Sequence, residues 1–224
     1  MHHRTVEELM TRDVVRARRD TPFKELVRLL EENDVTAVPV VDELERPIGV
    51  VSEADLLRKS ADQADPSGRI PVAHLEARER AKSEGSRAEE IMSAPAVCAR
   101  PEWTVVEAAR LMETQHVKRL PVVDEAERLL GIVSRGDLLR IFLRRDEAIR
   151  EEINEDLLRR TLGLDARDVT AEVRGGEVTL AGAVKYRSLI PVVEQLCRRV
   201  DGVVSVSGNL IYRTDDVRPA ADGG

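Results

Sequence analysis

The 224-residue sequence has few aromatic residues, few cysteines, no long apolar run and no excess of positive charge. Five scattered aromatic residues cannot form a platform on which nucleic-acid bases stack. A formal net charge of −7 argues against a general nucleic-acid binder, because such a protein needs a basic surface for phosphates. The two cysteines, Cys98 and Cys197, exclude a disulfide framework and a cysteine-rich metal site.

Segments that would direct the chain into or across a membrane are also missing. The N-terminal residues lack the apolar stretch of a signal peptide, and no run approaches the ~18 apolar residues of a membrane span. We therefore expect a cytoplasmic protein. Hydrophobic residues at 42% and charged residues at 34% are typical of a globular chain, and the length allows one or two domains.

An internal repeat organises the first two thirds of the chain. Residues 7–58 align with residues 89–140 at a constant offset of 82 without a gap, and 25 of the 52 positions are identical. Two copies are too few for a solenoid. We expect instead a pseudo-symmetric pair of units that share one core.

Both copies predict the element order β-α-β-β-α. Short apolar stretches at Val14-Val15 and Ala96-Val97 come first. Amphipathic helices with i, i+3, i+4, i+7 spacing follow, with these apolar residues: Phe23, Leu26, Val27 and Leu30, then Val105, Ala108, Ala109 and Met112. The predicted strands are Ala37–Val41 and Pro47–Val51, then Arg119–Val123 and Leu129–Val133. A short helix starts after Ser52 and after Ser134.

The rest of the chain contains a linker and a second, smaller unit. Residues 61–86 are a polar linker in which 73–82 have the pattern of an exposed helix. The C-terminal unit predicts α-β-β-α-β, beginning with an amphipathic helix over Ala148–Leu162 and including a glycine turn at Arg174–Glu177. The polar tail Thr214–Gly224 is expected to be disordered.

The candidate functional motif is a strand that ends in Gly-hydrophobic-Val-Ser-x-x-Asp, at Gly49–Asp55 and again at Gly131–Asp137. Read structurally, serine followed three residues later by a carboxylate caps a helix. Read functionally, the carboxylate accepts hydrogen bonds from two vicinal hydroxyls, and the helix N-terminus favours a nearby anion. Both readings stay open at this point.

The paired motif behind a Pro-Val-Val-Asp strand resembles the tandem pair of the cystathionine-β-synthase (CBS) domain family, over about residues 5–145. The resemblance implies one α/β (α+β) module with two clefts that bind AMP, ADP, ATP or S-adenosylmethionine, and a homodimer of two such pairs. It assigns the ribose to Asp55 and Asp137, and the phosphate or ribose to Ser52 and Ser134. The full set of candidate ligand-binding residues is Thr36, Ala37, Pro39, Ser52, Asp55, Lys118, Arg119, Pro121, Ser134 and Asp137.

The two copies differ in charge at one pair of positions. Lys118-Arg119 of the second copy matches Thr36-Ala37 of the first, so only the second copy offers cations to phosphate oxygens. The clefts should therefore be unequal. The sequence leaves open which cleft these two side chains face, because the family builds each site from both repeats.

The C-terminal unit resembles the BON domain. The matching residues are Gly176-x-Val178-x-Leu180-x-Gly182 and Asp201-Gly202-Val203-Val204-x-Val206. BON domains are associated with phospholipid binding, but residues 146–224 carry 11 basic and 15 acidic side chains, which argues against an anionic membrane surface. The predicted division is repeat 1 at 5–60, the linker at 61–86, repeat 2 at 87–145, the BON domain at 146–213 and the tail at 214–224.

These observations predict a non-catalytic, ligand-sensing regulatory protein that needs no cofactor or metal. No phosphate-binding loop or dinucleotide fingerprint occurs, and His74 and His116, the latter near the expected cleft, are isolated. One alternative is a structural protein with empty clefts whose BON domain binds a protein or phospholipid. A second is a nucleic-acid-linked regulator that uses these arginines: Arg16, Arg18, Arg19 and Arg100.

Overall fold

The computed structural model describes residues 3–61 and 84–217. The chain forms two compact units: Thr5–Leu138 is one, and the other takes the chain from Leu139 onward and also includes Arg4. Most of the predicted linker, including its helix, lies outside the described residues. Within the described ranges, no helix combines the length and the apolar character that crossing a bilayer requires.

The first unit contains two similar layers of strands and helices. Repeat 1 consists of α1 (Val6–Leu9), β1 (Ala17–Arg18), α2 (Phe23–Glu32), β2 (Ala37–Val41), β3 (Pro47–Ser52) and α3 (Glu53–Ala61). Repeat 2 consists of α4 (Ala88–Ile91), α5 (Val105–Thr114), β4 (Arg119–Val123), β5 (Leu129–Ser134) and α6 (Arg135–Leu139). Strands β2 and β3 pair antiparallel, as do β4 and β5, while β1 runs parallel to β2. The α/β (α+β) class is confirmed.

The beginning of each repeat differs from the prediction. A short helix, α1 or α4, precedes the first strand, and that strand is Ala17–Arg18 rather than Val14-Val15. In repeat 2 it shrinks to a single parallel bridge between Ala99 and Val122. Pro101, two residues after Ala99, has no backbone N–H and cannot donate the next hydrogen bond of the strand pairing. The equivalent residue of repeat 1, Arg19, has this N–H.

The core of each repeat lies between the sheet and one face of its long helix. All five residues of β2 are buried, and Leu26 and Leu30 of α2 pack against them. The apolar face predicted for each long helix is wider than the face that is buried, since Val27 of α2 is exposed and so is Ala109 at the equivalent position of α5. The helices thus bury a narrower stripe than their sequences offer.

The two repeats are joined by a reciprocal exchange of backbone hydrogen bonds. Val50 of β3 and Ser93 bond each other in both directions, at 3.0 and 2.8 Å, and Thr11 and Ile132 of β5 do the same at 2.9 Å. These bridges bring a methionine of one repeat against a glycine of the other. A β-carbon at Gly49 would lie 2.4 Å from Met92 Sδ, and one at Gly131 would lie 2.6 Å from Met10 Sδ.

The second unit has the predicted order α-β-β-α-β. Helix α7 (Asp146–Glu151) continues as a π-helix over Glu152–Thr161, and β6 (Val169–Arg174), β7 (Glu177–Tyr186), α8 (Leu189–Cys197) and β8 (Ser205–Thr214) follow. The sheet has the order β6-β7-β8, with β7 antiparallel to β6 and parallel to β8. Ile149, Ile153 and Leu157 from the helices share its core with Val178 and Leu180.

Two local features of this unit bear on the predictions. The Gly175-Gly176 turn has φ values of +59° and +76°, as the two glycines of a tight hairpin allow, and Asp146 accepts both of its N–H groups. The predicted disordered tail does not begin at Thr214. That residue ends β8, and Asp216 accepts hydrogen bonds from the backbone and hydroxyl of Ser188, while residues 218–224 lie outside the described range.

We expect Gly49→Ala and Gly131→Ala each to destabilise the protein by about 1–3 kcal/mol, because a methyl group cannot enter these contacts without moving the bridged backbone. Urea-induced unfolding measures the change. Gly136→Ala is the matched control, since its nearest neighbour would be Ser134 Oγ at 3.6 Å and alanine favours the α6 helix. Equal stability of all three variants would contradict this account of the repeat junction.

Candidate functional site

The two Ser-x-x-Asp motifs have the same local geometry. In repeat 1, β3 ends at Ser52, whose hydroxyl donates to Asp55 Oδ2 at 2.6 Å, and the Ser52 backbone N–H donates to the same oxygen at 3.0 Å. In repeat 2, the Ser134 hydroxyl and N–H donate to Asp137 Oδ2 at 2.7 and 2.8 Å. Each motif therefore caps the helix that follows it and fixes a carboxylate at the end of a strand.

The two carboxylates differ in their surroundings. Asp55 is 5% exposed, whereas Asp137 is half-buried. The second oxygen of Asp55 accepts a bond of 2.7 Å from Arg58 Nη1 and one of 3.3 Å from the hydroxyl of Ser93. Ser93 belongs to repeat 2 and reaches Asp55 because the Val50–Ser93 bridge holds it there. A residue of each repeat thus contributes to one carboxylate site.

The Asp55 cleft is a cavity of about 370 Å³ built from both repeats. Repeat 1 supplies the strand-to-helix junction with Ser52 and Asp55, and repeat 2 supplies the opposite wall. The residues that line it are Thr36, Ala37, Val50, Ser52, Glu53, Ala54, Asp55, Arg58, Ser93, Pro95, Ala96, Val97, His116, Val117, Lys118 and Arg119. It therefore combines apolar surface with one buried carboxylate and several cations.

The Asp137 cleft is a smaller cavity of about 210 Å³ with the corresponding construction. Its motif residues come from repeat 2, and its opposite wall comes from repeat 1. The residues that line it are Asp34, Val35, Thr36, Ala37, Arg119, Ile132, Ser134 and Asp137. Three residues, Thr36, Ala37 and Arg119, line both clefts.

The structure resolves which cleft receives the cations of the second copy. Lys118 lines the Asp55 cleft, where His116 also lies. The equivalent wall of the Asp137 cleft has Thr36 in place of the lysine and Asp34 in place of the histidine. Asp34 and His116 both have positive φ, at +50° and +53°, so the carboxylate and the imidazole are attached to the same backbone conformation in the two repeats. The Asp55 cleft is the more basic of the two.

Arg119 lies where the two clefts meet. Its guanidinium donates to the hydroxyl of Thr36 at the start of β2. Burial lowers the pKa of Arg119 from its usual value, while the nearby carboxylates of Glu53 and Asp137 act in the opposite direction. The side chain is therefore a half-buried cation between one acid of each cleft.

Eight of the ten predicted ligand-binding residues line the clefts, and two do not. Pro39 and Pro121 are buried in the strands opposite Val50 and Ile132, outside the lining of both cavities. The prediction missed Arg58, Ser93 and the wall segment Pro95–Val97. Two of these residues could have been found from the repeat alignment, which matches Ser93 with another hydroxyl residue, Thr11, and Arg58 with another arginine, Arg140.

Three of the four arginines considered for nucleic acid, Arg16, Arg18 and Arg100, are engaged within the protein. Arg18 bonds the Asp42 carbonyl and the Glu45 carboxylate, and Arg100 bonds the equivalent groups of the Asp124–Glu127 turn. Arg16 also pairs with Glu45, at 3.1 Å. These side chains hold the hairpin turns of the repeats and give no support to a phosphate-binding surface.

Comparison with family models identifies both parts of the chain. The CBS domain model matches residues 6–62 and 88–144, and the BON domain model matches residues 145–214. The tandem CBS pair followed by a BON domain, expected from the sequence, is confirmed.

Individual relatives resemble the CBS region. The chain is 27% identical over 149 residues to the uncharacterized protein MJ1426 of Methanocaldococcus jannaschii, which covers 60% of this chain and 88% of that protein. It is 26% identical over 141 residues to homoserine O-acetyltransferase of Methanohalobium evestigatum, covering 63% of this chain but only 24% of the enzyme. The crystal structure of CBSX2 from Arabidopsis thaliana in complex with AMP matches 62% of this chain and 96% of its own, with 28% identity and a TM-score of 0.52.

We expect Asp55→Ala to destabilise the protein by about 2–3 kcal/mol, because it removes the cap of α3 and leaves Arg58 without this buried partner. Asp137→Ala should cost less, about 1 kcal/mol, since that carboxylate is only half-buried whereas Asp55 is 5% exposed. Chemical denaturation of both variants measures the difference. Asp55→Asn is the control that keeps the size of the side chain, and a larger loss for Asp137→Ala would contradict the assignment.

Proposed function

We propose that this chain, which belongs to the CBS domain family and carries a BON domain after its CBS pair, is a ligand-sensing regulatory protein. Its ligand is an adenosine-containing molecule, either AMP, ADP or ATP or S-adenosylmethionine, and the main binding site is the Asp55 cleft. The observation that carries the proposal is the coincidence of a buried carboxylate, an apolar wall and a group of cations in one cavity.

Each part of an adenosine ligand has a counterpart in this cleft. Val50, Ala96 and Val97 offer an apolar wall for the base. Asp55 presents carboxylate oxygens, which together accept about four hydrogen bonds, to the two ribose hydroxyls. Lys118 and Arg119 offer charge to phosphate oxygens. The volume is within the range of small-molecule sites, and the similar CBSX2 has been crystallised with AMP.

A physical route from binding to signal is available at Asp55. Its Oδ1 is held by Arg58, one turn further along α3, and by Ser93 of the other repeat. A ribose diol must share or replace these donors, so binding loosens the Arg58 contact or the junction between the repeats. A ligand shifts such an equilibrium only through its different affinity for the two arrangements.

In this proposal the BON domain is the effector or interaction module, and the protein catalyses no reaction. The location is cytoplasmic. The alternative is a structural or interaction protein with empty clefts whose BON domain binds a protein or phospholipid. Calorimetry on the full chain separates the two functions, because only the ligand sensor binds a nucleotide.

Calorimetric titration of the full chain with AMP, ADP, ATP and S-adenosylmethionine is the direct test. A ligand at about 100 times its Kd should also raise the free energy of unfolding by about 2.7 kcal/mol. Asp55→Ala should weaken binding by roughly ten- to a hundredfold, and Asp55→Asn by less, because the amide keeps one acceptor. Absence of binding for all four ligands would support empty clefts.

Lys118→Ala should weaken ATP about tenfold while leaving adenosine nearly unchanged, because only ATP has phosphates that contact the ammonium group. Lys24→Ala is the control, since Lys24 is an exposed lysine of α2 that lines neither cleft. Equal losses for ATP and adenosine would show that Lys118 is a solvated surface charge.

A homodimer through the CBS pair is part of the same proposal. The groove between α2 and α3, with a volume of about 530 Å³, is lined by apolar side chains that include Phe23, Val27 and Leu57. Leu57 is 65% exposed. An apolar surface of this kind is stabilised when a second copy covers it.

Light scattering should give twice the chain mass for the wild type and the single chain mass for Leu57→Glu, because a buried carboxylate opposes association. Leu44→Glu is the control, since Leu44 is 63% exposed in the β2–β3 turn and does not line the groove. A dimer that survives Leu57→Glu would place the interface elsewhere.

A further inference from the structure

Among the described residues, Arg119 is the one basic side chain that lines both clefts. The serine and aspartate of the motif occur in each repeat, but the position equivalent to Arg119 in repeat 1 is Ala37. The position equivalent to Lys118 is Thr36. In the part of the chain that the structure describes, Arg119 is therefore the one basic side chain that lines the Asp137 cleft.

The contacts of Arg119 allow its guanidinium to turn toward either side. Its partner is the neutral hydroxyl of Thr36, a residue that also lines both clefts. Within residues 3–61 and 84–217, Arg119 forms no ion pair with a carboxylate that would fix its direction. Glu53 stands on the Asp55 side and Asp137 on the other, close enough for both to interact with its charge.

From this geometry we infer that the two clefts compete for Arg119, so that a phosphate-bearing ligand in one cleft weakens the binding of a phosphate-bearing ligand in the other. The inference rests on the proposed function and deepens it. A bidentate contact with one phosphate occupies one edge of the planar guanidinium, so a second phosphate must share its single positive charge, and two phosphates beside one cation repel each other. By linkage, each ligand weakens the other by the same factor.

The expected size follows from one charge-assisted phosphate contact, whose loss weakens binding by roughly ten- to a hundredfold. Lys118 makes the Asp55 cleft the more basic site, so this cleft fills first and its ligand engages Arg119 before a second ligand binds. The effect should vanish for adenosine, which has no phosphate and makes no demand on the guanidinium. Phosphate dependence separates this coupling from a general conformational change in the pair.

The clefts are chemically unequal, so two different affinities alone do not show competition. The test is a double-mutant cycle on the full chain, with AMP and adenosine titrated in a calorimeter. Ala54→Trp fills the Asp55 cleft from an exposed position that lines only this cleft, and Arg119→Ala removes the shared cation. Ala96→Trp provides a second block, and melting curves verify that each variant folds.

We expect AMP to bind the Asp137 cleft of Ala54→Trp about ten- to a hundredfold more tightly than it binds the second site of the wild type. In the Arg119→Ala background, the same block should leave that affinity unchanged, as it should for adenosine in either background. Asp137→Ala added to Ala54→Trp should abolish the remaining site, which identifies it.

Three outcomes overturn the inference. An Asp137-cleft affinity that does not respond to the block in the wild-type background means independent clefts, although the proposed function stands. Loss of all AMP binding on blocking the Asp55 cleft, by both tryptophan variants, means that the Asp137 cleft takes no nucleotide. A wild-type protein that binds neither AMP nor the other adenosine ligands defeats the proposed function together with the inference.

Discussion

The reciprocal backbone bridges between the repeats are the constraint on which the site depends. Val50 pairs with Ser93, and Thr11 pairs with Ile132, so each small sheet borrows a residue from the other repeat. The bridges require glycine at positions 49 and 131, where methionine side chains of the opposite repeat press against the strand. They also carry Ser93 to Asp55. Without this exchange, each motif would be a helix cap beside open solvent.

The two repeats share their scaffold and differ in charge at the cleft walls. Both copies retain the Ser-x-x-Asp cap, and both hold their hairpin turns with an arginine, Arg18 or Arg100. Three of the differing positions lie on the cleft walls: Asp34, Thr36 and Ala37 in repeat 1 stand where repeat 2 has His116, Lys118 and Arg119. The two cavities are built on equivalent positions, and the residues on their walls make the Asp55 cleft the more basic one.

The burial of Asp55 gives this carboxylate a dual role. It stabilises α3 as a cap and binds Arg58, and it also faces the cavity in which we propose the ligand binds. A carboxylate with such partners is costly to remove and sensitive to anything that competes for its oxygens. Coupling between stability and ligand binding is therefore a consequence of where the strand ends and the helix begins.

The sequence alone determined the repeat, the long helices and paired strands, the helix caps and the inequality of the two copies, because these depend on local periodicity and on matched positions such as Lys118 and Thr36. It also predicted the order of the C-terminal unit, whose strands alternate clearly. The tertiary structure decided which cleft receives Lys118, that Arg119 lies in both, that Ser93 reaches Asp55, and that Pro39 and Pro121 stay in the core. These outcomes depend on residues far apart in the chain, and their contacts are set by the bridges between repeats rather than by any local pattern.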